Sequence, residues 1–265
     1  MTKHFRIIFP TSHHESIWQY VCQHYANILP NAQLSAAFLQ NAQPSVVSEY
    51  DQFQIACEML DMVQHAEQDQ CDGVFINIAF DTSLSAAKTL VKIPVVGALE
   101  AAILLAKYCQ FQKITVLAIN NEEVPVNYRL FREYDYFDRL VSIESLNIPV
   151  FSLQDDKVMT IERVMRCCEK AYRIGADCII LGCTAMGWIA KNIRENFDIQ
   201  VIDTSVAGLV LLDLLTELKL SQNQSLFVKP SNLKAVKNIS CSNTILTIPR
   251  GQVLQILFSL VTIHY

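Results

Sequence analysis

Short apolar runs alternate with longer amphipathic stretches along most of this chain, and this alternation limits the folds open to it. The runs at residues 5–9, 73–79 and 178–181 are too short for buried helices and suit buried strands. Stretches such as 51–68 and 159–174 follow, with apolar residues recurring at helical spacing. Because strands and helices alternate, we predict an α/β fold with mainly parallel sheets.

The pattern runs through two similar halves that meet near Gly97. We predict two Rossmann-like lobes, the first from residues 1–96 plus 204–220 and the second from 97–203, with the active site in the cleft between them. In the second half we predict helices over 124–140, 159–174, 186–196 and 205–218, strands over 113–119, 178–181 and 200–202, and a short extended piece over 148–152.

The last part of the chain, residues 221–265, differs in composition and is predicted to be a C-terminal extension. Polar residues 221–225 resemble a linker, residues 227–248 contain short strand-like pieces, and residues 253–261 are strongly apolar. We expect the apolar end to pack against the body or against a second subunit. A homo-oligomer is therefore predicted.

Composition excludes several classes of partner. The chain has 265 residues, a formal net charge of −5 and no basic block, which argues against nucleic acid and anionic membranes as partners. No run has the length of a membrane-spanning helix. The apolar stretch near the start is stopped by Pro10 too early for a signal peptide, so a cytoplasmic protein is predicted. No glycine-rich nucleotide motif or G-x-S-x-G occurs, so neither a nucleotide cofactor nor a serine nucleophile is indicated.

The nine cysteines do not predict a disulfide framework or a metal site. Their number is odd, no C-x-x-C occurs, and none has ligand spacing with nearby histidines. We interpret most of them as small buried apolar residues in a reducing compartment, with no metal bound.

Cys183 is the exception, because of its place in the chain. It follows the predicted strand 178–181, with Gly182 before it and a predicted helix after it. Ligands bind at the carboxyl ends of strands in open α/β sheets. The N–H groups at the start of a helix favour a thiolate and can bind a carboxylate, and Thr184 adds a hydroxyl. From position alone, Cys183 is either a reactive thiol or one more buried cysteine.

Four short segments stand out: FPTS at 9–12, IPVVGALEAA at 93–102, GCT at 182–184 and VIDT at 201–204. Together they resemble the aspartate/glutamate/hydantoin racemase superfamily, and its hydantoin racemase branch in particular. GCT at 182–184 resembles the segment with the second catalytic cysteine, and IPVVGALEAA at 93–102 is similar to a conserved helix start of the family. FPTS at 9–12 lies where the family has a turn after its first strand, and VIDT at 201–204 resembles a later strand end. The four segments occur in the family's order and span residues 5–218.

The resemblance implies a cofactor-independent isomerase acting on a small molecule that carries a carboxylate or an amide. In the family, one thiolate removes a proton beside a carbonyl, and a second thiol returns a proton from the opposite face. Cys183 corresponds to the second thiol. Six further residues are expected to contact the substrate: Thr11, Ser12, Thr184 and Asp203 within these segments, and Ala79 and Phe80 at the strand end where the family has its first cysteine.

The chain departs from the family at the first cysteine, where the matching position is Ala79. A different base is one way to complete the pair, and the candidates are His13, His14 and Asp81. A reaction needing one thiol is another, because arylmalonate decarboxylases are similar in fold and use a single cysteine at the second position. The third alternative is a small-molecule binding protein without turnover.

The acidic pair Glu122 and Glu123 is interpreted as solvated helix surface, with a lid or dimer face as the alternative.

Overall fold

Two separate sheets form the framework of the protein in this computed structural model, which describes residues 2–40, 46, 48–223, 225–226 and 244–249. The first sheet contains four parallel strands in the order β4-β3-β1-β2. Their bounds are β1 (His4–Phe9), β2 (Gln33–Phe38), β3 (Gly73–Ile76) and β4 (Val95–Gly97). The second sheet is entirely parallel, in the order β6-β5-β7-β8. Its strands are β5 (Ile114–Ala118), β6 (Leu140–Ser145), β7 (Cys178–Leu181) and β8 (Gln200–Asp203).

A final strand, β9 (Thr244–Thr247), completes the first sheet. It pairs antiparallel with the outer edge of β2, from Ser35 opposite Thr247 to Phe38 opposite Thr244. The predicted strand-like character of 227–248 is therefore confirmed at its end. The apolar run 253–261, on which the predicted oligomer depends, lies outside the described residues.

Helices connect the strands on both faces of the sheets, as expected for parallel strands. They are α1 (Glu15–Ile28), α2 (Glu49–Gln68), α3 (Leu84–Leu90), α4 (Ala98–Tyr108), α5 (Val124–Glu133), α6 (Ser152–Asp155), α7 (Lys157–Arg173), α8 (Ala190–Asn196) and α9 (Thr204–Glu217). The side chain of the residue just before the helix caps α2 (Ser48), α7 (Asp156) and α9 (Asp203). Within the described part of the chain, no helix combines the length and the apolar character needed to cross a bilayer.

Helix α9 ties the second sheet back to the first lobe. It follows β8 directly and packs against β3, β4 and α4. Phe75 of β3 lies against Gly208, and Leu212 lies against Gly73. The α/β class and the two-lobe architecture are as predicted, and the boundaries 1–96 plus 204–220 and 97–203 stay a prediction.

Residues 124–152 differ from the prediction. The helix expected over 124–140 ends at Glu133, where Tyr134 caps it and Asp135 adopts a positive φ of 51°. The strand of this region is Leu140–Ser145. The prediction of an extended piece over 148–152 is therefore wrong. All but one of the β6 residues are only half-buried, so the apolar signal of this strand is weak.

Two other elements differ in ways that matter for the site. Strand β3 ends at Ile76, so residues 77–80 form a turn and not the end of a strand. The helix expected over 186–196 begins as a 3₁₀ segment, Thr184–Ile189, and becomes α-helical only from Ala190.

Candidate functional site

A cavity of about 90 Å³ lies between the lobes, at the carboxyl ends of β1, β3, β5 and β7. The first-lobe wall consists of Phe9, Pro10, Thr11, Ile17, Tyr20, Val21, Tyr25, Val46, Asn77, Ile78, Ala79 and Phe80. The second-lobe wall consists of Ile119, Glu123, Val150, Phe151, Gly182, Cys183, Thr184 and Ala185. Most of these side chains are apolar, which suits a small ligand held by a few polar contacts.

Cys183 lies on the second-lobe wall because of a close contact between two strands. The Gly182 N–H donates to the Leu117 carbonyl at the end of β5, at 2.9 Å. A Cβ at position 182 would lie 2.6 Å from that carbonyl oxygen, so a side chain there would push the strands apart. Glycine therefore lets β7 turn tightly and present Cys183, which is half-buried, to the cavity.

Cys183 is a thiol, and not a thiolate, at neutral pH. Burial raises its pKa to about 12, and the carboxylates of Glu123 and Asp203 act in the same direction. The Ala185 N–H opposes this shift. The Ala185 N–H in the following 3₁₀ segment favours the thiolate as expected, but the loss of hydration on burial outweighs it.

Glu123 is a polar residue of the cavity that the sequence analysis did not identify as a site residue. Glu122 is solvent-exposed as expected, but Glu123 is only 4% exposed and lines the cavity. Its Oε2 accepts from the Ile119 N–H at 2.9 Å. Burial raises the pKa of Glu123 to about 7, against the N–H groups of Ile119 and Asn120, which lower it. The cavity thus contains a carboxyl that changes charge near neutral pH.

The polar groups of the first-lobe wall bond to one another or across the cleft. The Tyr25 hydroxyl donates to Asn77 Oδ1 at 2.7 Å, and the Tyr20 hydroxyl donates to the Thr184 carbonyl at 3.4 Å. Burial raises the pKa of both tyrosines well above the usual value. Ala79 lies on this wall, and among the described residues that form it there is no cysteine, carboxylate or histidine.

Neither histidine proposed as a substitute base lines the cavity. His13 is exposed and packs edge-on against Phe38, with ring centroids 5.2 Å apart. The His14 ring stacks on Phe151 with centroids 4.1 Å apart, so it lies behind a residue of the second-lobe wall. Thr11 lines the cavity and Ser12 does not.

Asp81, the third candidate, also lies outside the cavity lining. Its carboxylate accepts the backbone N–H groups of Leu99 and Glu100 at 3.1 and 2.6 Å, at the start of α4. It also accepts the hydroxyl of Tyr134 from the second lobe at 2.6 Å. Burial raises its pKa to about 7. These contacts make Asp81 a helix cap and a link between lobes, and they do not place it as a second base.

Asp203, expected to contact substrate, faces another group of residues. Its Oδ1 accepts from the Ser205 N–H at 2.9 Å and from the Ser205 hydroxyl at 2.6 Å, while Oδ2 lies 3.1 Å from His24 Nε2. Burial would raise its pKa, but His24 and Ser205 together hold it below the usual value. Asp203 does not line the cavity and acts on Cys183 through its charge.

The described cysteines are all free, and half of them are buried: Cys71, Cys167, Cys168 and Cys178. Cys57 and Cys109 are exposed, contrary to the general expectation of burial. Within the described residues, no cluster of histidine, cysteine, aspartate and glutamate side chains is arranged to hold a metal ion.

Comparison with known proteins agrees with this geometry. The family model for Asp/Glu/Hydantoin racemase matches residues 22–212. A hydantoin racemase from Paenarthrobacter aurescens is 25% identical over 181 residues, which cover 66% of this chain and 75% of that protein. Allantoin racemase from Klebsiella pneumoniae superposes with a TM-score of 0.79 at 20% identity, covering 86% of this chain and 95% of that one. A double-substitution variant of arylmalonate decarboxylase superposes with a TM-score of 0.62 at 16% identity, covering 82% and 93%. Because the family model matches most of the length of this chain, the chain belongs to the Asp/Glu/hydantoin racemase family.

Proposed function

We propose that the protein is a cofactor-independent isomerase that moves a proton at a carbon beside a carboxylate or amide carbonyl, using the thiol of Cys183. One observation carries this proposal: Cys183 follows β7 in a tight glycine turn and lines the cavity between the lobes. A thiol held in a desolvated cavity is a suitable proton donor to a carbanion.

The surrounding groups supply the other requirements of such a reaction. Thr11 and Thr184 offer hydroxyls to the polar atoms of a substrate, while Ala79 and Phe80 offer apolar contact. Backbone N–H groups in the turn after Gly182 are suited to stabilising the enolate-like oxygen. The names of the relatives suggest hydantoin-like or allantoin-like substrates. A cytoplasmic location and a homo-oligomer remain predictions.

Deuterium exchange tests this proposal directly. Hydantoins, allantoin and free amino acids are incubated with the protein in deuterated water, and loss of the α-proton is followed by NMR while optical purity is followed by polarimetry. We expect exchange by the wild type and at least about a 100-fold loss of rate in Cys183→Ser. Cys57→Ser is the control, because Cys57 is an exposed cysteine. Equal rates in Cys183→Ser and the wild type would show that Cys183 has no part in proton transfer.

A second candidate function is decarboxylation with a single thiol. It is favoured by Ala79, since the described residues of the first-lobe wall provide no second thiol. In this reaction the bond to a carboxylate breaks, carbon dioxide leaves, and the electron pair left on carbon takes the Cys183 proton, which solvent then restores. Release of carbon dioxide from disubstituted malonates, without exchange on hydantoins, would favour this function. Ligands that raise the melting temperature without any turnover would favour a binding protein.

A further inference from the structure

Two proton-carrying side chains lie together on the second-lobe wall. Glu123 and Cys183 follow β5 and β7, which pair directly with Leu117 opposite Leu181. Both line the cavity, and the charge of Glu123 acts on the Cys183 thiol. The second-lobe wall thus holds a carboxyl beside a thiol, in contrast to the first-lobe wall.

We propose that Glu123 is the proton acceptor of this cavity and that Cys183 is its proton donor, an assignment that rests on the proposed proton transfer at an acidic carbon. Glu123 is only 4% exposed. Its Oε2 is held by the Ile119 N–H, and its main-chain carbonyl accepts from Asn127 Nδ2 at 3.0 Å. The first contact holds one carboxyl oxygen and the second holds the main chain, so the carboxyl is positioned on the cavity wall, as a general base requires.

The proton steps balance without any further reactant. The Glu123 carboxylate takes the proton as the C–H bond breaks, and the electron pair passes into the adjacent carbonyl. The Cys183 S–H then gives a proton to the carbanion and becomes a thiolate. A proton passes from the Glu123 carboxyl to that thiolate, which restores both groups.

The two environments set the direction of this last step. Burial raises the pKa of Glu123 to about 7, with Glu122 adding to the shift, and burial raises the pKa of Cys183 to about 12. A proton shared by the two groups therefore resides on sulfur. Groups whose environments separate their pKa values in this way mark the base and the acid of a site.

The other titratable groups around the pair do not replace Glu123 as the acceptor. Tyr20 and Tyr25 of α1 are kept protonated by burial. Asp203, the last residue of β8, is paired with His24 and lies outside the cavity lining. Among the described lining residues, Glu123 is the carboxyl that reaches the cavity.

A first experiment tests the coupling of the two groups without any substrate. The protein is treated with iodoacetamide across a pH series, and alkylation of Cys183 is measured by peptide mass spectrometry, with Cys57 as the internal standard. Glu123→Gln keeps an acceptor for the Ile119 N–H and removes the charge. We expect Cys183 to react about threefold faster or more at alkaline pH in this variant, because its pKa falls. Glu122→Gln, the exposed neighbour, should leave the rate unchanged. Equal rates in Glu123→Gln and the wild type would overturn the coupling.

A second experiment tests proton acceptance, using the substrate of the panel that the wild type exchanges best. We expect the wild-type exchange rate to rise with pH through about 7, as Glu123 ionises. Glu123→Gln should lose at least about 100-fold in rate together with this pH-dependent limb. Glu122→Gln should keep both, with the limb moved slightly to lower pH because the Glu122 charge adds to the raised pKa of Glu123. A merely structural role for Glu123 would lower the rate without removing the limb.

The outcomes separate this inference from the proposed function. A wild type that exchanges none of the panel overturns the proposed function, and the acceptor role with it. A wild type that exchanges, together with a Glu123→Gln variant of equal rate and equal pH profile, overturns the acceptor role alone. Melting temperatures of the variants exclude a loss through unfolding.

Discussion

The two walls of the cavity come from lobes of similar architecture, and they differ sharply in chemistry. The second-lobe wall carries the Cys183 thiol and the Glu123 carboxyl, both held at the ends of adjacent parallel strands. The first-lobe wall has Ala79 at the position that the family resemblance assigns to a cysteine, with Asn77 and Tyr25 bonded to each other. Two strand ends in equivalent architectural places thus carry different side chains.

Under the proposed function, the fold supplies the cavity, and the chemistry depends on which strand ends carry titratable groups. A planar carbanion that meets proton carriers from both sides can racemise, whereas carriers on one wall return the proton to one face. The asymmetry predicts that this chain exchanges the α-proton faster than it racemises its substrate, so isomerisation is the slower outcome of the same proton transfer.

Placing a thiol on the first-lobe wall should have the largest effect of the changes considered, because it removes the chemical difference between the two walls. In Ala79→Cys, a second proton carrier faces Cys183 across the cavity, and we expect racemisation of an exchanging substrate to rise by about 100-fold or more. Polarimetry during deuterium exchange measures it. Cys57→Ala in the same background controls for changes in surface cysteines. Exchange that still retains configuration would mean that position 79 does not reach the reacting carbon.

Disturbing the turn before Cys183 should have the next largest effect. Gly182→Ala places a Cβ against the Leu117 carbonyl, so the ends of β5 and β7 must separate. We expect the free energy of unfolding to fall by about 3 kcal/mol, as for an overpacked core. Urea denaturation measures this loss. A variant as stable as the wild type would show that the turn relaxes without cost.

The buried carboxyl of the second-lobe wall should make stability depend on pH. The pKa of Glu123 is raised from 4.5 to about 7 in the folded protein, so the folded state keeps a proton that the unfolded chain has lost. Stability should therefore fall as pH rises from about 4.5 to about 7, by at most about 1.4 kcal/mol per pH unit for this group. Asp81 contributes with the same sign.

Denaturation midpoints at a series of pH values test this slope. We expect Glu123→Gln to flatten it, while Glu122→Gln keeps most of it and moves it slightly to lower pH. An identical slope in Glu123→Gln would mean that Glu123 is ionised in the folded protein throughout this range.

Removing the hydrogen bond that joins the lobes should have the smallest effect on stability. Tyr134→Phe removes the hydroxyl that donates to Asp81, which keeps its two N–H donors from α4. We expect a loss of about 1 kcal/mol in stability. Tyr136→Phe, whose hydroxyl bonds to the Ala106 and Phe111 carbonyls, is the matched control. If only Tyr134→Phe changes the alkylation rate of Cys183, the link between lobes also governs access to the cavity.

The sequence predicts the strands of this fold best where they are fully buried. The bounds of β7 are the predicted ones, because its four residues are all buried and apolar. Strand β6 was missed, since most of its residues are half-buried and follow a helix without a proline or glycine signal. The position of Cys183 could be predicted because it depends on that buried strand and on a glycine.

The rest of the site depends on contacts that a linear pattern does not contain. Two adjacent glutamates follow β5, and the sequence does not show that Glu123 turns inward while Glu122 faces solvent. The usable signal was its place after a strand next to β7, the same rule that identified Cys183. The role of Asp81 was predicted wrongly because its sequence position shortly after β3 does not show that it caps the N–H groups at the start of α4.

Strand β9 has a consequence for the behaviour of this protein in concentrated solution. It covers the outer edge of β2 by antiparallel pairing, so the N–H and carbonyl groups of that edge have partners within the chain. A version shortened at residue 220 would leave β2 as an open edge, a template on which other chains can add strands. The C-terminal extension therefore protects the sheet against aggregation, and its loss should be visible as concentration-dependent light scattering even if the cavity keeps its chemistry.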